Sequence, residues 1–444
     1  MSGGSRQHKH IAPPDGGWGW AVVAGSFLCM FISFGYPRNL GLFITPVVDD
    51  FESSTGPIGF IVSMPITLLL TTGPLSGVLC KKFGSRFTGI LGGILVSTGL
   101  AIGYATTNLF YLALGIGVLP GLGLGLAYTA SVVIVSRYFE KMFVVANGII
   151  FLGGPISFLV CPFIGETLME LYGWRCTLLL WCAMSLHIIV GGVLMRPVYL
   201  LRDLDNTDDN TDNEYELLDN LQEPTSEHQL TNNTGPSGNA CTRVWKRIAS
   251  QLELQLFTQN AMFVLITVVI FLNGFAYESW LIYVIPQAQE LNIPDEMSAI
   301  ILTTTGIGSV VGRLGQIGIL HFNILSTYNL WVLANVLAAL ALITDPLFQN
   351  IYSIIVFSVV YGVATGIKMP LAPVLVRDYV GIEKIHVAFG WLNLSRGIGA
   401  LCGGTSMGIL HTYYGSYRQP FVIVAAVQSL AAIILAFKPR SRES

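Results

Sequence analysis

Long apolar runs separated by short polar breaks repeat along the chain, and one long polar stretch divides them into two groups of six. An apolar run of about 20 residues, folded as a helix, matches the hydrocarbon thickness of a bilayer. The pattern therefore predicts twelve membrane-spanning helices. Their expected cores are 18–46, 57–80, 87–106, 110–136, 144–168, 176–195, 260–285, 298–320, 328–344, 350–376, 386–410 and 419–437.

The dividing stretch covers residues 196–259 and is rich in Asp, Asn, Glu and Thr. Such a composition buries too little apolar surface to offset the entropy lost on folding. We predict a disordered, acidic, cytoplasmic linker between an N-terminal six-helix bundle (18–195) and a C-terminal six-helix bundle (260–437). Residues 1–17 and 438–444 are the expected cytoplasmic tails. The predicted fold class is an all-α integral membrane protein.

Composition supports this prediction, because 52% of the residues are hydrophobic and only 11% are charged, against about 25% in soluble domains. The basic residues also indicate an orientation. With both termini in the cytoplasm, 17 of the 23 Lys and Arg lie on the cytoplasmic side, and only Arg175 and Arg418 lie outside. This asymmetry follows the positive-inside rule and favours an even number of spans.

Several function classes lack their usual sequence patterns in this chain. It has no P-loop and no His-Glu-x-x-His motif, and its histidines are scattered without the spacing of metal ligands. We therefore predict that the protein is not an enzyme, and we expect no cofactor, no metal, no ATP and no nucleic-acid partner. The expected surroundings are a lipid bilayer, with the plasma membrane as the predicted location.

Four stretches resemble the signatures of one family. The most specific is Asp15-Gly16-Gly17-Trp18-Gly19-Trp20, at the head of the first span. The others enter the fifth span (138–153), close the sixth (194–197) and end the tenth (374–381). On these residues the chain resembles the monocarboxylate transporters of the major facilitator superfamily, from about residue 13 to residue 437.

This resemblance implies a secondary transporter that works by alternating access, with two six-helix halves rocking about a site near the middle of the membrane. The implied substrate is a small monocarboxylate or a related organic anion or zwitterion, moved by a symporter or a facilitator. Some members are escorted by a single-span chaperone glycoprotein. Met142 and Phe143 replace two usual arginines and Ser157 a usual glycine. With the departure at Ser309 described below, the chain resembles the divergent, non-lactate members most.

A sensor or receptor with a transporter-like fold is the alternative function, with the acidic linker recruiting its partner. The segment between the second and third spans carries Lys82 and Arg86 in a pattern similar to the superfamily's Gly-x-x-x-Asp-Arg-x-Gly-Arg loop, without its Asp. We predict that these two residues form a conformational latch at the inner surface. A simple cluster of cytoplasmic positive charge is the alternative.

Ionisable residues inside the spans are the candidate substrate-binding groups, because each costs about 2.5–3.5 kcal/mol on insertion scales. The resemblance aligns Arg38 with a lysine implicated in carboxylate binding and Arg313 with the substrate-pairing arginine. An arginine can hold a carboxylate through two hydrogen bonds but does not release its proton. A structural ion pair between Arg38 and Glu278 is the alternative for Arg38.

Ser309 is the most informative departure from the family pattern. It lies one turn before Arg313, where proton-coupled members carry an Asp, so the usual coupling route lacks its acid. Glu278 then has three alternative roles: an ion pair with Arg38 or Arg313, a proton carrier in place of the missing Asp, or a contact for a cationic group on the substrate.

Lys368 and Arg396 lie in the tenth and eleventh predicted spans. Each either lines the transport cavity or extends its charged end towards the inner face. If both line the cavity, its positive charges exceed Glu278 by three, counting Arg38 and Arg313. Such a site would favour an anion, including a dianion.

Overall fold

The structure is a computed structural model that describes residues 15–53, 55–197, 252–291, 293–347 and 350–436. Most of the predicted disordered linker (196–259) lies outside the described residues, at 198–251. Its last residues, 252–259, are described and include a short helix, Leu256–Gln259, in which Leu256 is buried. Most of the two predicted tails also lies outside them, at 1–14 and 437–444.

All regular secondary structure in the described residues is helical. The first span is α1 (Trp18–Asn39), a 3-10 turn (Leu40–Phe43) and α2 (Ile44–Asp50). The fourth span starts with α5 (Leu109–Leu112) and a π-helical turn (Ala113–Val118). The remaining helices are α3 (Thr55–Thr71), α4 (Gly73–Ala105), α6 (Leu119–Tyr138), α7 (Phe143–Leu194), α8 (Leu256–Gln259), α9 (Ala261–Glu290), α10 (Asp295–His321), α11 (Thr327–Thr344), α12 (Ile351–Val380), α13 (Ile385–Tyr414) and α14 (Arg418–Ala436).

Two of these helices are interrupted, α4 at Gly84 (φ 82°) and α7 at Gly173 (φ 75°). Glycine adopts a positive φ without a steric penalty, so both breaks fall where the sequence permits them. Each break separates two spans, and the described helices therefore provide twelve spans. Eight helical stretches, α7 among them, are long and apolar enough to cross a membrane. The prediction of an all-α fold with twelve spans is confirmed.

Glycines allow the helices within each half to approach closely. In the first half α1 packs on α7, and α4 packs on α6; in the second half α10 packs on α12, and α9 packs on α13. A Cβ on Gly92 of α4 would lie 2.5 Å from the carbonyl oxygen of Gly123 in α6. Such contacts require small residues, which is why glycine-rich spans are common in helix pairs within membranes.

The two halves meet mainly through α4 with α13 and through α7 with α10. Asn147 Nδ2 donates to the carbonyl oxygen of Pro370 at 2.6 Å, and Arg377 Nη1 donates to that of Phe139 at 2.6 Å. A Cβ on Gly77 would collide with the backbone of His386. We call this end of the molecule, with residues 73–77, 138–147 and 370–391, the closed end. We call the opposite end, with residues 44–53, 166–175 and 414–418, the open end.

The first signature stretch is fixed at the closed end by Asp15. Its carboxylate accepts hydrogen bonds from the backbone N–H groups of Glu140 (2.7 Å), Lys141 (3.0 Å) and Met142 (3.4 Å). Partial burial raises the pKa of Asp15, but these three donors lower it, and the net pKa lies below its usual 3.8. Asp15 thus ties the start of the first span to the entrance of the fifth.

The other signature stretches meet at the same place. Trp18 Nε1 donates to the carbonyl oxygen of Leu194 at 3.0 Å, and the Arg196 guanidinium lies over the Trp18 ring at 3.9 Å. Arg377, in the fourth stretch, reaches Phe139 in the second. All four stretches that carry the family resemblance are therefore parts of the closed end.

Candidate functional site

A cavity of about 880 Å³ lies between the two halves and reaches the open end. Arg38, Glu278, Ser309, Arg313 and Arg396 line this central cavity. The N-terminal half otherwise contributes mainly apolar groups, and the C-terminal half contributes several hydroxyl groups. The other lining residues are Phe34, Leu42, Ile66, Leu70, Phe151, Gly154, Phe158, Leu159, Pro162, Phe163, Glu166, Tyr277, Leu281, Ile285, Leu302, Thr303, Thr305, Gly306, Thr365 and Met369.

Arg38 and Glu278 form an ion pair across the cavity. Arg38 Nη2 lies 3.2 Å from Oε2 and 3.3 Å from Oε1 of Glu278, and the side chains are 27% and 11% exposed. Arg38 is in the last turn of α1 and Glu278 is in α9, so the pair joins the two halves. The guanidinium also lies over the Phe158 ring, 5.5 Å from its centroid.

Arg313 is the most deeply buried arginine of the cavity, with 5% of its surface exposed. From α10 it crosses to the other half, where Nη1 donates to the carbonyl oxygen of Phe151 in α7. Nη2 lies 3.8 Å from Met369 Sδ, and Nε has no hydrogen-bond partner in the described chain. Among the described residues no carboxylate neutralises Arg313, which is an unusual state for a buried charge.

Arg396 contacts the same sulfur atom as Arg313. Its Nη2 lies 3.3 Å from Met369 Sδ, and its guanidinium lies 5.8 Å from the centroid of the Tyr277 ring. Arg396 also lacks a carboxylate partner in the part of the chain that the structure describes. Two guanidinium groups on either side of one thioether thus make the wall of the cavity formed by α10, α12 and α13 strongly positive.

Ser309 lines the cavity on α10, one turn before Arg313. A Cβ on Gly366 of α12 would collide with the carbonyl oxygen of Ser309. The backbones of α10 and α12 are therefore in close contact at this position.

Lys368 lies outside the central cavity. Its side chain, 4% exposed, lines a separate cavity of about 50 Å³, which is formed mainly by the C-terminal half and bordered by Tyr128 of α6. Lys368 Nζ donates to Asn273 Oδ1 (2.7 Å) and to Gln428 Oε1 (3.1 Å). Its ammonium group therefore occupies neither of the two positions expected from the sequence, which were the central cavity and the inner face.

Lys82 and Arg86 are exposed at the closed end, where Lys82 Nζ lies 5.4 Å from the Phe83 ring centroid. The neighbouring Lys81 forms the ion pair found here, with Glu253 in the segment that precedes α8. A latch role for Lys82 and Arg86 stays a prediction.

Sequence reasoning overlooked several groups that the structure places at these sites. Glu166 lines the central cavity near the open end. An acid inside the predicted span 144–168 could have indicated this position. Asn273 and Gln428 surround Lys368, and polar residues inside spans were the signal for both. Gly404–Gly408 has the Gly-x-Ser-x-Gly form of a hydrolase motif, yet it lies within α13 and lacks the strand-to-helix turn that such a nucleophile needs.

Comparisons with known proteins give one consistent result. The family model described as Major Facilitator Superfamily matches residues 24–344 and 318–444. "Monocarboxylate transporter 13" of Rattus norvegicus is 28% identical over 414 residues, covering 93% of this chain and 87% of the relative. "Monocarboxylate transporter 12" of Mus musculus is 26% identical over 430 residues, covering 96% of this chain and 86% of the relative.

Solved structures show the same fold. The human organic anion transporter MFSD10 superposes with a TM-score of 0.67 at 15% identity, covering 94% of this chain and 99% of that one. The fucose:proton symporter FucP of E. coli superposes with a TM-score of 0.64 at 14% identity and the same coverage. At these identities the likeness concerns the fold alone, and it confirms the predicted arrangement of twelve helices in two six-helix halves.

Proposed function

Because this chain belongs to the Major Facilitator Superfamily, we propose that it transports a small organic carboxylate and that Arg313 holds the carboxylate group. The chain is a multi-pass membrane protein and a secondary transporter rather than an enzyme, as its similarity to monocarboxylate transporters over most of its length shows. The observation that carries the proposal is the pair of arginines, Arg313 and Arg396, that line the central cavity without a carboxylate partner among the described residues.

Electrostatics favours an anion at this position. Transfer of a charge from water to a protein interior costs several kcal/mol even after relaxation. The carbonyl oxygen of Phe151 and the sulfur of Met369 replace only part of the lost hydration of Arg313. A carboxylate would supply the missing negative charge, and the planar guanidinium matches it through two parallel hydrogen bonds.

The ion pair between Arg38 and Glu278 has a different role in this proposal. Each side chain already neutralises the other at 3.2 Å, so the pair adds no net charge to the cavity. Since its members belong to different halves, the geometry of the pair depends on the relative position of the two halves. Arg38 is therefore a positioning residue, and Arg313 with Arg396 forms the anion site.

Proton coupling is expected to be weak. Ser309 stands one turn before Arg313 and does not titrate at physiological pH. Two acids line the cavity, but Glu278 is held in an ion pair with Arg38, and Glu166 lies near the open end. We infer a facilitator, or a carrier coupled to an ion other than the proton.

Alternating access requires one end to close while the other opens. The halves are joined at the closed end by Asn147 with Pro370 and by Arg377 with Phe139, and the central cavity reaches the open end. The positive-inside rule assigns the closed end, with Lys81, Lys141 and Arg377, to the cytoplasm. We propose an outward-facing state in the plasma membrane, with both termini in the cytoplasm.

Two further expectations rest on the family resemblance. A single-span chaperone glycoprotein would be recognised by higher surface expression when the two proteins are produced together. A sensor without transport activity would bind solutes but would not accumulate them, and that outcome would replace the transport proposal.

Uptake of labelled carboxylates into oocytes tests the role of Arg313. We expect Arg313→Ala to reduce uptake at least about tenfold, because a hydrogen bond to a charged group contributes about 1.5–3 kcal/mol. Arg418→Ala is the matched control, since Arg418 is exposed at the open end and outside the cavity. Both variants must reach the surface in equal amounts by biotinylation. Normal uptake by Arg313→Ala would refute the proposal.

A further inference from the structure

The small cavity beside Lys368 is a second place where positive groups are buried together. It has a volume of about 50 Å³ and lies apart from the central cavity, although Tyr277, Met369 and Arg396 border both. It has room for a few water molecules or one halide ion, but not for an organic acid. None of its described lining residues is an acid.

A chain of amides fixes the orientation of the groups around Lys368. Asn335 Nδ2 donates to the carbonyl oxygen of Trp331 at 2.8 Å, so its Oδ1 accepts from Gln428 Nε2 at 3.3 Å. Gln428 therefore presents its oxygen to Lys368 Nζ at 3.1 Å. These amides supply acceptors for the ammonium group, but they supply no negative charge.

A second donor in this cavity has no acceptor. Asn393 is 3% exposed and lines the cavity, and its Nδ2 has no hydrogen-bond partner among the described residues. A buried donor without an acceptor costs about 1–3 kcal/mol, so native proteins rarely leave one unsatisfied. Arg396 adds a guanidinium whose Nη2 lies 3.3 Å from the Met369 sulfur. Three donor groups, two of them charged, thus border one small space.

We propose that this cavity binds a small inorganic anion, chloride in a cell, between Lys368 Nζ, Asn393 Nδ2 and the Arg396 guanidinium. Chloride would neutralise the buried charge and accept the hydrogen bonds that the protein leaves unmade. Because Arg396 borders both cavities, chloride would also reduce the positive charge available to a carboxylate in the central cavity. This last consequence rests on the proposed transport function, whereas the site itself does not.

Thermal unfolding of the purified full chain in detergent tests the site directly. Chloride replaces gluconate at constant ionic strength, and we expect the midpoint of wild-type unfolding to rise by a few degrees in a saturable manner. Asn393→Asp places a carboxylate in the small cavity that Lys368 also lines, and it should remove the chloride dependence without a change in side-chain size. Lys384→Met, at an exposed position, is the control and should keep the full shift.

Three outcomes would overturn the proposal: no difference between chloride and gluconate in the wild type, an equal chloride shift in Asn393→Asp, or a shift with acetate but not with chloride. If Asn393→Asp does not fold, Lys368→Met is measured in its place. If the wild-type protein shows the chloride shift but takes up no carboxylate, that result would contradict the transport proposal alone.

Discussion

The two walls of the central cavity are built from different chemistry. The N-terminal half contributes aromatic and aliphatic side chains, such as Phe34, Phe151 and Phe158, whereas the C-terminal half contributes Arg313 and Arg396. In the proposed function, one half therefore shapes the solute and the other binds its charge. Arg313 nevertheless donates to the carbonyl oxygen of Phe151, so the charged wall is tied to the apolar wall in this state.

The pair formed by Arg38 and Glu278 gives the strongest way to break this comparison. Arg38→Glu would place two carboxylates where an ion pair stood, and we expect uptake to fall about tenfold or more because an uncompensated buried charge is costly. Combining it with Glu278→Arg restores opposite charges, and we expect much of the uptake to return. Kinetic uptake measurements on the two single variants and the double variant give this cycle.

If the double variant stays inactive, Arg38 contacts the solute itself. The N-terminal half would then contribute charge as well as shape, which would contradict the comparison.

Ser309→Asp would sharpen the role of the charged wall. The new carboxylate lies one turn before Arg313, and we expect uptake to increase severalfold when the outside is made acidic. Ser309→Asn has the same size without a titratable group and should keep the nearly flat pH dependence expected of the wild type. A steep dependence in the wild type that disappears in Glu278→Gln would instead make Glu278 the proton carrier.

Phe158→Leu tests the apolar wall and should have a smaller effect. Phe158 lies beneath the Arg38 guanidinium at 5.5 Å and packs edge-on against Phe34 at 6.4 Å. Loss of the ring removes a cation–π contact of about 0.5–1 kcal/mol, so we expect KM to change a few-fold with little change in maximal rate. Phe110→Leu, at an exposed position outside the cavity, is the control. A collapse of the maximal rate would give this wall more than a shaping role.

The two halves also differ in an acid at the open end, and this difference affects the stability of the folded protein. In the N-terminal half Asp50 pairs with Arg175 at 2.8 Å, whereas in the C-terminal half Asp345 follows α11, is 2% exposed and accepts from Gln287 Nε2 at 3.4 Å. Burial raises the pKa of Asp345 from 3.8 to about 6. The folded protein therefore binds the proton more tightly than the unfolded chain, and stability is lost as the pH rises from about 4 to 6.

Asp345→Asn should remove this loss. We expect the variant to be more stable than the wild type above pH 6, by on the order of 2 kcal/mol, and equally stable below pH 4. Asp50→Asn should change stability by less than about 1 kcal/mol, because exposed ion pairs contribute little. Thermal unfolding at several pH values measures both variants, and a destabilised Asp345→Asn at neutral pH would contradict the account.

The spans could be predicted because each one requires a long apolar run, and the structure begins α9 at Ala261 and α11 at Thr327, within one residue of the expected positions. The cavity residues could be predicted in part because a charge such as Arg313 is seldom tolerated in a span without a function. The position of Lys368 could not be predicted. The apolar residues of α12 are not confined to one face, so its sequence does not indicate which face turns towards the central cavity.

Contacts between distant segments were also beyond the sequence. The break between α3 and α4 interrupts what was predicted as one span, 57–80, and α4 then continues to the interruption at Gly84.

The ion pair of Lys81 with Glu253 depends on a fold that brings together two residues 172 positions apart in the sequence. No local pattern encodes such a contact.

Counterflow in proteoliposomes tests the central claim most directly, with one solute offered as its carboxylate and as its neutral amide. The claim is that Arg313 recognises the carboxylate group. We predict that wild-type protein exchanges the carboxylate and not the amide, and that Arg313→Ala loses the exchange while its unfolding temperature stays near that of the wild type. Equal exchange of the carboxylate and the amide by the wild-type protein would contradict the claim.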